Sequence, residues 1–274
     1  MTHQQTRAIL TIAGSDPSGG AGIQADLKTF TVLSTYGCAV ITSLTVQNTL
    51  GVLDCHPLAP ELVHQQIAAV LDDMTVSHIK IGMIGSADIG SAICHALKCF
   101  TGEVIYDPVI YSSVGQPIRT TDTLEGVHQL AARATALTPN LQELGLLTGQ
   151  NIGSTTEALV AGKKLLAVFP KLKAVAIKGG HLNPDLNQVT DTLLLAEDDQ
   201  PLFRSHPRII SRNTHGTGCT FASALAAFHQ HSGDYSEAFQ RSIDFLNFLL
   251  AASVDYRLGH GNGGLCHHLY RHNE

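Results

Sequence analysis

The most informative part of this sequence is Asn213-Thr-His-Gly-Thr-Gly-Cys219, which lies between a β-branched run at Arg208–Ser211 and an apolar helical run at Thr220–His229. Two glycines around a threonine allow the backbone to curl without Cβ clashes. The next N–H groups then point ahead of a helix N-terminus, where they have no helical partner and the helix dipole favours negative charge. The stretch predicts an anion-binding loop; the alternative is a glycine turn into a core helix.

The same loop places Cys219 at the helix start. We expect a lowered thiol pKa there, because the helix dipole stabilises a thiolate. Such a base beside an anion site suits phosphoryl transfer to an alcohol, with the backbone N–H groups of Gly216, Thr217 and Gly218 stabilising the transferring group. The alternative is a cysteine that only packs, while the alcohol loses its proton late to phosphate or water.

Composition excludes several classes of protein. The chain has 274 residues, is 44% hydrophobic and 15% charged, and carries a formal net charge of −6, which favours a compact globular protein over disorder or a nucleic-acid surface. No apolar stretch reaches the roughly 18 residues needed to span a bilayer. With no recognisable signal peptide and no CxxC among the six cysteines, we expect reduced thiols and a cytoplasmic location.

Strand-like and helix-like runs alternate along the chain, which predicts an α/β protein with a mostly parallel sheet and helices on both faces. No shift in composition separates domains, so we expect a single domain. The predicted strands are Ala8–Ile12, Ala39–Leu44, Ser77–Met83, Glu103–Asp107, Ala136–Thr138, Ala174–Ile177 and a possible hairpin of Thr190–Leu195 with Leu202–Ser211.

Polar or flexible residues follow several of these strands, at the edge where open α/β sheets bind ligands. They are Gly14–Gly22, Gln47-Asn48, Gly82-Met83, Asp107 and Lys178-Gly-Gly180. The G-x-x-x-x-G-K-[ST] signature of P-loop proteins and the H-R-D loop of protein kinases are both absent from the sequence.

Seven motifs occur in order between about residues 8 and 264: Ala13-Gly-Ser-Asp-Pro-Ser-Gly-Gly-Ala-Gly-Ile-Gln-Ala-Asp-Leu-Lys-Thr29, Thr45-Val-Gln-Asn-Thr49, Lys80-Ile-Gly-Met83, Asp107-Pro-Val109, Thr138-Pro-Asn-Leu-Gln-Glu143, Lys178-Gly-Gly-His181 and Asn213–Cys219. This series resembles that of the hydroxymethylpyrimidine/phosphomethylpyrimidine kinases of the ribokinase-like superfamily. The resemblance implies a three-layer α/β/α sandwich over residues 1–274, a homodimer, ATP and Mg²⁺. It also implies two successive phosphorylations of 4-amino-5-hydroxymethyl-2-methylpyrimidine, for thiamine diphosphate biosynthesis.

The resemblance further assigns roles to residues around the phosphates. Cys219 resembles the position where many ribokinase-like enzymes carry a catalytic Asp. Asn140 and Glu143 would join a network of Mg²⁺, water and phosphate, which Asp107 would serve through water. The alternatives are a capping box formed by Asn140 and Glu143, and a turn residue at Asp107 before Pro108.

On the nucleotide side, the resemblance points to Lys178, Asn213 and Thr214, and the alternative for Lys178 is an ordinary lysine at a strand end. The residues assigned to the pyrimidine are Asp26, Gln47, Met83 and Val109. A glutamine amide satisfies a donor/acceptor pair on one edge of an aminopyrimidine. The alternatives are a first-turn helix residue for Asp26 and plain core packing for Met83 and Val109.

The sequence departs from the family pattern at Ile110–Pro117, a region that resembles a mobile flap. Many relatives carry a lysine near Ser113, and some pyridoxine-phosphorylating relatives carry a cysteine near Ser112. A pyridoxine, pyridoxal or sugar kinase on the same fold remains an alternative, with Gln47 and Met83 as the discriminating positions. The alternative from another class is a non-catalytic nucleotide- or pyrimidine-binding regulator.

Overall fold

The computed structural model describes residues 7–109, 123–180 and 187–271, and these ranges contain nine strands and eight α-helices. The strands are β1 Ala8–Ser15, β2 Gly37–Asn48, β3 Gly51–Pro57, β4 Val76–Ile81, β5 Glu103–Tyr106, β6 Ala136–Leu137, β7 Ala174–Ile177, β8 Gln188–Leu195 and β9 Asp198–Pro207. The helices are α1 Gly22–Val32, α2 Pro60–Asp73, α3 Ala87–Ala96, α4 Thr123–Ala131, α5 Leu141–Thr148, α6 Thr155–Val168, α7 Thr217–Ser232 and α8 Tyr235–Ser253.

All nine strands of the described ranges belong to one sheet, in the order β3-β2-β1-β4-β5-β6-β7-β8-β9. The pairs from β2 to β7 are parallel, whereas β3 at one edge and β8 with β9 at the other are antiparallel. The predicted mostly parallel sheet and the predicted hairpin before α7 are therefore confirmed.

Both faces of the sheet are buried, as β1 shows. Leu10 and Ile12 point into one core cluster, whereas Ile9 points into the other. Side chains of α2 to α6 cover the first face, and side chains of α1, α7 and α8 cover the second. Because strands covered on both sides read as continuous apolar runs, the sequence identified these central strands well. The predicted α/β/α sandwich is confirmed.

Two local expectations were wrong. The sequence analysis missed β3, which has no buried residue and forms because β2 runs on to Asn48 and turns back on itself. The β-branched run at residues 208–211 is not a strand, and Ile210 is 87% exposed. In both segments local composition was misleading, because cross-strand pairing rather than propensity decides whether an exposed segment becomes a strand.

A fully buried ion pair ties α1 to β4 beneath the carboxyl edge of the sheet. Lys80 Nζ lies 2.9 Å from both carboxylate oxygens of Asp26, and both side chains are 0% exposed. Thr11 and Ser223 donate hydroxyl hydrogen bonds of 2.6 and 2.7 Å to the same carboxylate. Burial would lower the pKa of Lys80, but the charge and hydrogen bond of Asp26, together with smaller contributions from Cys219 and Asp107, outweigh burial and raise it, so the lysine stays charged.

We predict that Lys80→Met destabilises the fold by about 3–5 kcal/mol, because it leaves the buried Asp26 carboxylate without its counter-ion. The measurement is the free energy of unfolding from urea titration. Lys163→Met, a matched change at an exposed lysine of α6, should cost less than about 0.5 kcal/mol. Similar losses in the two variants would contradict the prediction.

Candidate active site

A cavity of about 680 Å³ opens at the carboxyl edge of the sheet. Its wall includes residues at or just beyond the carboxyl ends of β1, β2, β4, β5 and β7, together with the first turn of α7. The polar residues that the sequence placed after separate strands therefore meet at one site. Of the predicted site residues, those on the wall are Gln47, Met83, Asp107, Val109, Asn140, Glu143, Lys178, Thr214, Gly216, Thr217, Gly218 and Cys219.

The glycine loop forms the start of α7. Gly216 is the N-cap and has φ +81°, a left-handed conformation that favours glycine, and a Cβ there would overlap the carbonyl oxygen of Gly20. No side chain caps this helix start. Thr217, Gly218 and Cys219 lie on the cavity wall, so the predicted loop geometry ahead of the helix is present. Whether the loop binds an anion stays a prediction.

The cationic side chain of Lys178 lies on the cavity wall beside this loop. Lys178 Nζ lies 2.8 Å from Asp107 Oδ1 and 3.7 Å from Glu143 Oε2. Burial would lower the pKa of Lys178, but the two carboxylates outweigh it and raise the pKa. A Cβ on Gly218 would lie 3.4 Å from Lys178 Nζ and 3.6 Å from Asp107 Oδ2. The helix start and the charged group thus face the same small space.

Asn140 and Glu143 form a reciprocal capping box at the start of α5, which is the alternative to the Mg²⁺ role that the sequence analysis predicted. Asn140 Oδ1 accepts from the backbone N–H of Glu143 at 2.9 Å, and Glu143 Oε2 accepts from that of Asn140 at 2.8 Å. Burial raises the pKa of Glu143 to about 7, against the opposing charge of Lys178. The helix cap therefore engages the only side-chain oxygen of Asn140 and one of the two carboxylate oxygens of Glu143. The role of the pair around Mg²⁺ stays a prediction.

The expected lowering of the Cys219 pKa is wrong. Burial raises the pKa of this thiol to about 11, because desolvation outweighs the nearby charge of Lys80, and the carboxylates of Asp26 and Asp107 raise it further. The helix-start position alone did not reveal these carboxylates, which lie on α1 and directly after β5.

Two of the predicted ligand-binding residues, Asp26 and Asn213, do not lie on the cavity wall. The Asp26 carboxylate is enclosed by the buried network with Lys80, and the geometry gives it no surface for direct contact with a substrate. The Asn213 side chain is buried and donates to the carbonyl oxygens of Ser253 and Tyr256 at 2.5 and 2.6 Å. It holds the end of α8, whereas its neighbour Thr214 lies on the wall.

The structure adds residues that the sequence analysis did not single out. Asp16 and His215 lie on the wall within quoted motifs, and His215 Nε2 is 2.8 Å from Asp16 Oδ2. At the other end of the cavity, Leu246 and Leu250 of α8 supply apolar surface. Motif membership could have revealed the first pair, whereas nothing in the helical pattern distinguishes the leucines from core residues. The flap at residues 110–117, with Ser112 and Ser113, and His181 lie outside the described residues.

Comparison with known proteins gives consistent results. The family described as phosphomethylpyrimidine kinase matches residues 16–265. The hydroxymethylpyrimidine/phosphomethylpyrimidine kinase of Escherichia coli K12 is 39% identical over 261 residues, covering 94% of this chain and 96% of that protein. A crystal structure of phosphomethylpyrimidine kinase from Clostridium difficile 630 has a TM-score of 0.77 and 33% identity, over 89% of this chain and 99% of the other.

Pyridoxal kinases share the fold as well. The Staphylococcus aureus pyridoxal kinase in complex with AMP-PCP and pyridoxal has a TM-score of 0.85 at 27% identity, covering 99% of this chain and 97% of that one. The two pyrimidine kinases are closer in sequence, at 39% and 33% identity against 27% for this pyridoxal kinase. The chain therefore belongs to the phosphomethylpyrimidine kinase family and has its ribokinase-like α/β/α fold.

Proposed function

We propose that this protein is an ATP-dependent kinase that phosphorylates 4-amino-5-hydroxymethyl-2-methylpyrimidine and then its monophosphate, for thiamine diphosphate biosynthesis. The observation that carries the proposal is a single cavity that joins an uncapped glycine-rich helix start to Gln47 and Met83. The family match supports the same assignment. The continuous sheet supports a single catalytic domain over residues 1–274.

The two ends of the cavity suit the two substrates. At one end, Gln47 offers a donor and an acceptor, while Met83 and Val109 offer apolar contacts to a flat ring. At the other end, Leu246 and Leu250 of α8 suit the adenine base of ATP, and Thr214 lies toward the helix start. This arrangement would hold a hydroxymethyl group and a terminal phosphate against the same loop.

The helix start is suited to stabilising the transferring phosphoryl group. Backbone N–H groups of residues 217–219 would donate to its oxygens, and the dipole of α7 would favour their charge. Lys178, held by Asp107 and Glu143, would supply a fixed positive charge at 3.4 Å from the Cβ position of Gly218. Positioning and electrostatic stabilisation account for most of the catalysis in phosphoryl transfer.

The residues near the helix start fit Mg²⁺ held mainly through water. Asp107, Glu143 and Asn140 present hard oxygen donors, which Mg²⁺ prefers. Lys178 engages one oxygen of Asp107, and the capping box engages one oxygen of Glu143 and the only side-chain oxygen of Asn140. Within the described part of the chain, no cluster of three or more His, Cys, Asp or Glu could bind the metal directly. Mg²⁺ would neutralise phosphate charge, and these side chains would orient its water ligands.

We propose that Cys219 is the base of the first phosphorylation. With a pKa of about 11, its thiolate is the minor form near neutral pH, but a thiolate of that basicity is a strong proton acceptor. The second phosphorylation needs no such base, because a phosphate monoester has a second pKa of about 6 and is largely ionised. For that step the loop and Lys178 would suffice.

Coupled ATP turnover with Mg²⁺ tests the function directly, with hydroxymethylpyrimidine, its monophosphate, pyridoxine and ribose offered in parallel. Turnover of both pyrimidines is expected. The alternative is a pyridoxal kinase, which the likeness to the S. aureus enzyme keeps open. Turnover of pyridoxine alone would overturn the substrate assignment, and no turnover of any of the four would favour a non-catalytic regulator.

We also propose a homodimer and a cytoplasmic location. The edge hairpin β2–β3 exposes a row of apolar side chains, including Leu50 at 67% and Leu53 at 74%, which supports association through this edge. All six cysteines have free thiols, which supports a reducing compartment. No helix in the described ranges is long and apolar enough to cross a membrane. Sedimentation equilibrium would measure the oligomeric state.

We predict that Gly218→Ala lowers kcat/KM at least about 100-fold without loss of stability, because the methyl group would lie beside Lys178 where the phosphoryl group binds. Its contacts are at ordinary van der Waals distance, so folding should be unaffected. Gly216→Ala is the control: it should destabilise the fold by at least about 2 kcal/mol, owing to φ +81° and overlap with Gly20. Full activity in Gly218→Ala would contradict the proposed anion site.

We predict that Cys219→Ala slows the first phosphorylation about 100-fold and the second much less. In the wild type, the rate of the first step should rise between pH 6.5 and 9, because the thiolate fraction increases toward the pKa of about 11. Rapid-quench measurement of each step checks both expectations. Cys219→Ser keeps the size of the side chain but removes the thiol, so its rate of first phosphorylation should not show the wild-type rise between pH 6.5 and 9. Equal losses in the two steps would contradict the role of Cys219 as base.

A further inference from the structure

The Gln47 amide lies between two polar neighbours on the cavity wall, and its orientation decides what it offers to a substrate. Gln47 Nε2 is 3.0 Å from His215 Nε2, and Gln47 Oε1 is 3.2 Å from Thr45 Oγ1. The two ends of an amide have nearly the same size, so the hydrogen-bonding needs of the neighbours determine which end lies where. The inference below rests on the proposed function, because it concerns the pyrimidine end of the cavity.

The neighbour on one side, His215, must act as a donor. Its Nε2 lies 2.8 Å from Asp16 Oδ2, and the same carboxylate accepts three backbone N–H groups and one hydroxyl from residues 18–21. Burial would raise the pKa of Asp16, but the hydrogen bonds with His215, Ser18 and the loop amides lower it to about 2. An ionised carboxylate only accepts, so His215 Nε2 carries a proton and cannot accept from the NH₂ of Gln47.

The neighbour on the other side, Thr45, must act as an acceptor toward the amide. Its hydroxyl donates to the carbonyl oxygen of Ser15 at 2.9 Å. A hydroxyl has a single proton, and the shorter contact takes it. A lone pair of Thr45 Oγ1 then faces Gln47 at 3.2 Å, where a carbonyl oxygen would be repelled and an N–H group would bond.

Both neighbours require the same orientation. We propose that the Gln47 amide is held with its carbonyl oxygen toward His215 and its NH₂ toward Thr45, and that His215, fixed by Asp16, is the positioning residue that sets this orientation. A half-turn of the amide leaves its shape unchanged, places the NH₂ against the lone pair of Thr45 and places the carbonyl oxygen beside the Nε2–H group of His215. The single proton of that group then forms a three-centre hydrogen bond, to Asp16 at 2.8 Å and to the amide oxygen at 3.0 Å.

The orientation has a consequence for substrate choice. The oriented amide presents an acceptor on the His215 side and a donor on the Thr45 side. This order complements an amino group next to an unprotonated ring nitrogen, which is the edge of a 4-aminopyrimidine. A 4-oxopyrimidine with a protonated ring nitrogen presents the reverse order and would face donor with donor and acceptor with acceptor. Unpaired groups of that kind reject a ligand strongly in an enclosed site.

The test compares binding of the 4-amino substrate with that of its 4-oxo analogue by isothermal titration calorimetry. The wild type should prefer the amino form by at least roughly tenfold. His215→Leu should reduce that preference severalfold, chiefly through tighter binding of the oxo form, because the amide can then turn. His215→Gln places an amide N–H near the position of Nε2 and should restore much of the preference. Thr45→Val should act in the same direction as His215→Leu.

His206→Leu is the matched control, because His206 also lies on the cavity wall and pairs with Asp191 at 3.2 Å, on β9 and β8. Its preference for the amino form should equal that of the wild type. A folded His215→Leu variant with the wild-type preference would overturn the role of His215. A loss of preference in His206→Leu equal to that in His215→Leu would also overturn it, because it would show a general effect of the cavity.

Neutron diffraction of the deuterated wild-type protein tests the orientation without any variant. Deuterium density is expected on the end of the Gln47 amide that faces Thr45. Deuterium density on the end of the amide that faces His215 would overturn the proposal even if every variant failed to fold. This outcome is separate from the function, because a wild-type protein that phosphorylates neither pyrimidine overturns the proposed function whichever way the amide points.

Discussion

The close contact between the loop after β1 and the loop before α7 is the constraint on which the site depends. Gly216 comes so near the carbonyl oxygen of Gly20 that neither segment could carry a larger residue there without moving apart. The contact brings Asp16 against His215 across 199 positions of sequence, with a hydrogen bond of 2.8 Å. Because the first loop borders the predicted pyrimidine pocket and the second forms the helix start of α7, the same contact sets the distance between the two halves of the cavity.

Charged side chains form two groups near this contact, one beneath the cavity and one on its wall. Beneath the cavity, the ion pair of Asp26 and Lys80 is sealed from solvent and joins a helix of one layer to the central sheet. On the cavity wall, Lys178 lies between Asp107 and Glu143 and keeps some exposure to the cavity. The lower pair stabilises the packing, whereas the upper group has a charge that remains accessible to a ligand. Cys219 lies close to both groups. Burial raises the pKa of its thiol, and the carboxylates of Asp26 and Asp107 raise it further.

The sequence was most reliable where a residue's role depends on neighbours within one helical turn or one strand. The capping box of Asn140 and Glu143 and the buried strand β1 could both be predicted, because the partners of a cap lie a few positions away and the whole run of β1 is apolar. Prediction from the sequence missed β3, because its exposed residues carry no pattern of burial. It also gave the wrong direction for the pKa of the Cys219 thiol, which depends on charges from α1, from β4 and from the residue directly after β5. Asp26 and Asn213 were recognised as important, but only packing shows that both side chains point into the protein.

The order of motifs by itself determined the family, the α/β/α architecture and the edge of the sheet at which the chemistry lies, because parallel strands direct the residues after them to one side. Tertiary structure decided which of those residues reach the cavity and in what state. The polarity of the Gln47 amide depends on Thr45, His215 and Asp16 together, and the charge of Lys178 depends on two carboxylates, one directly after β5 and one on α5. Hydrogen bonding and desolvation act over a few ångströms of space, and a linear sequence does not record which distant residues will lie within that range.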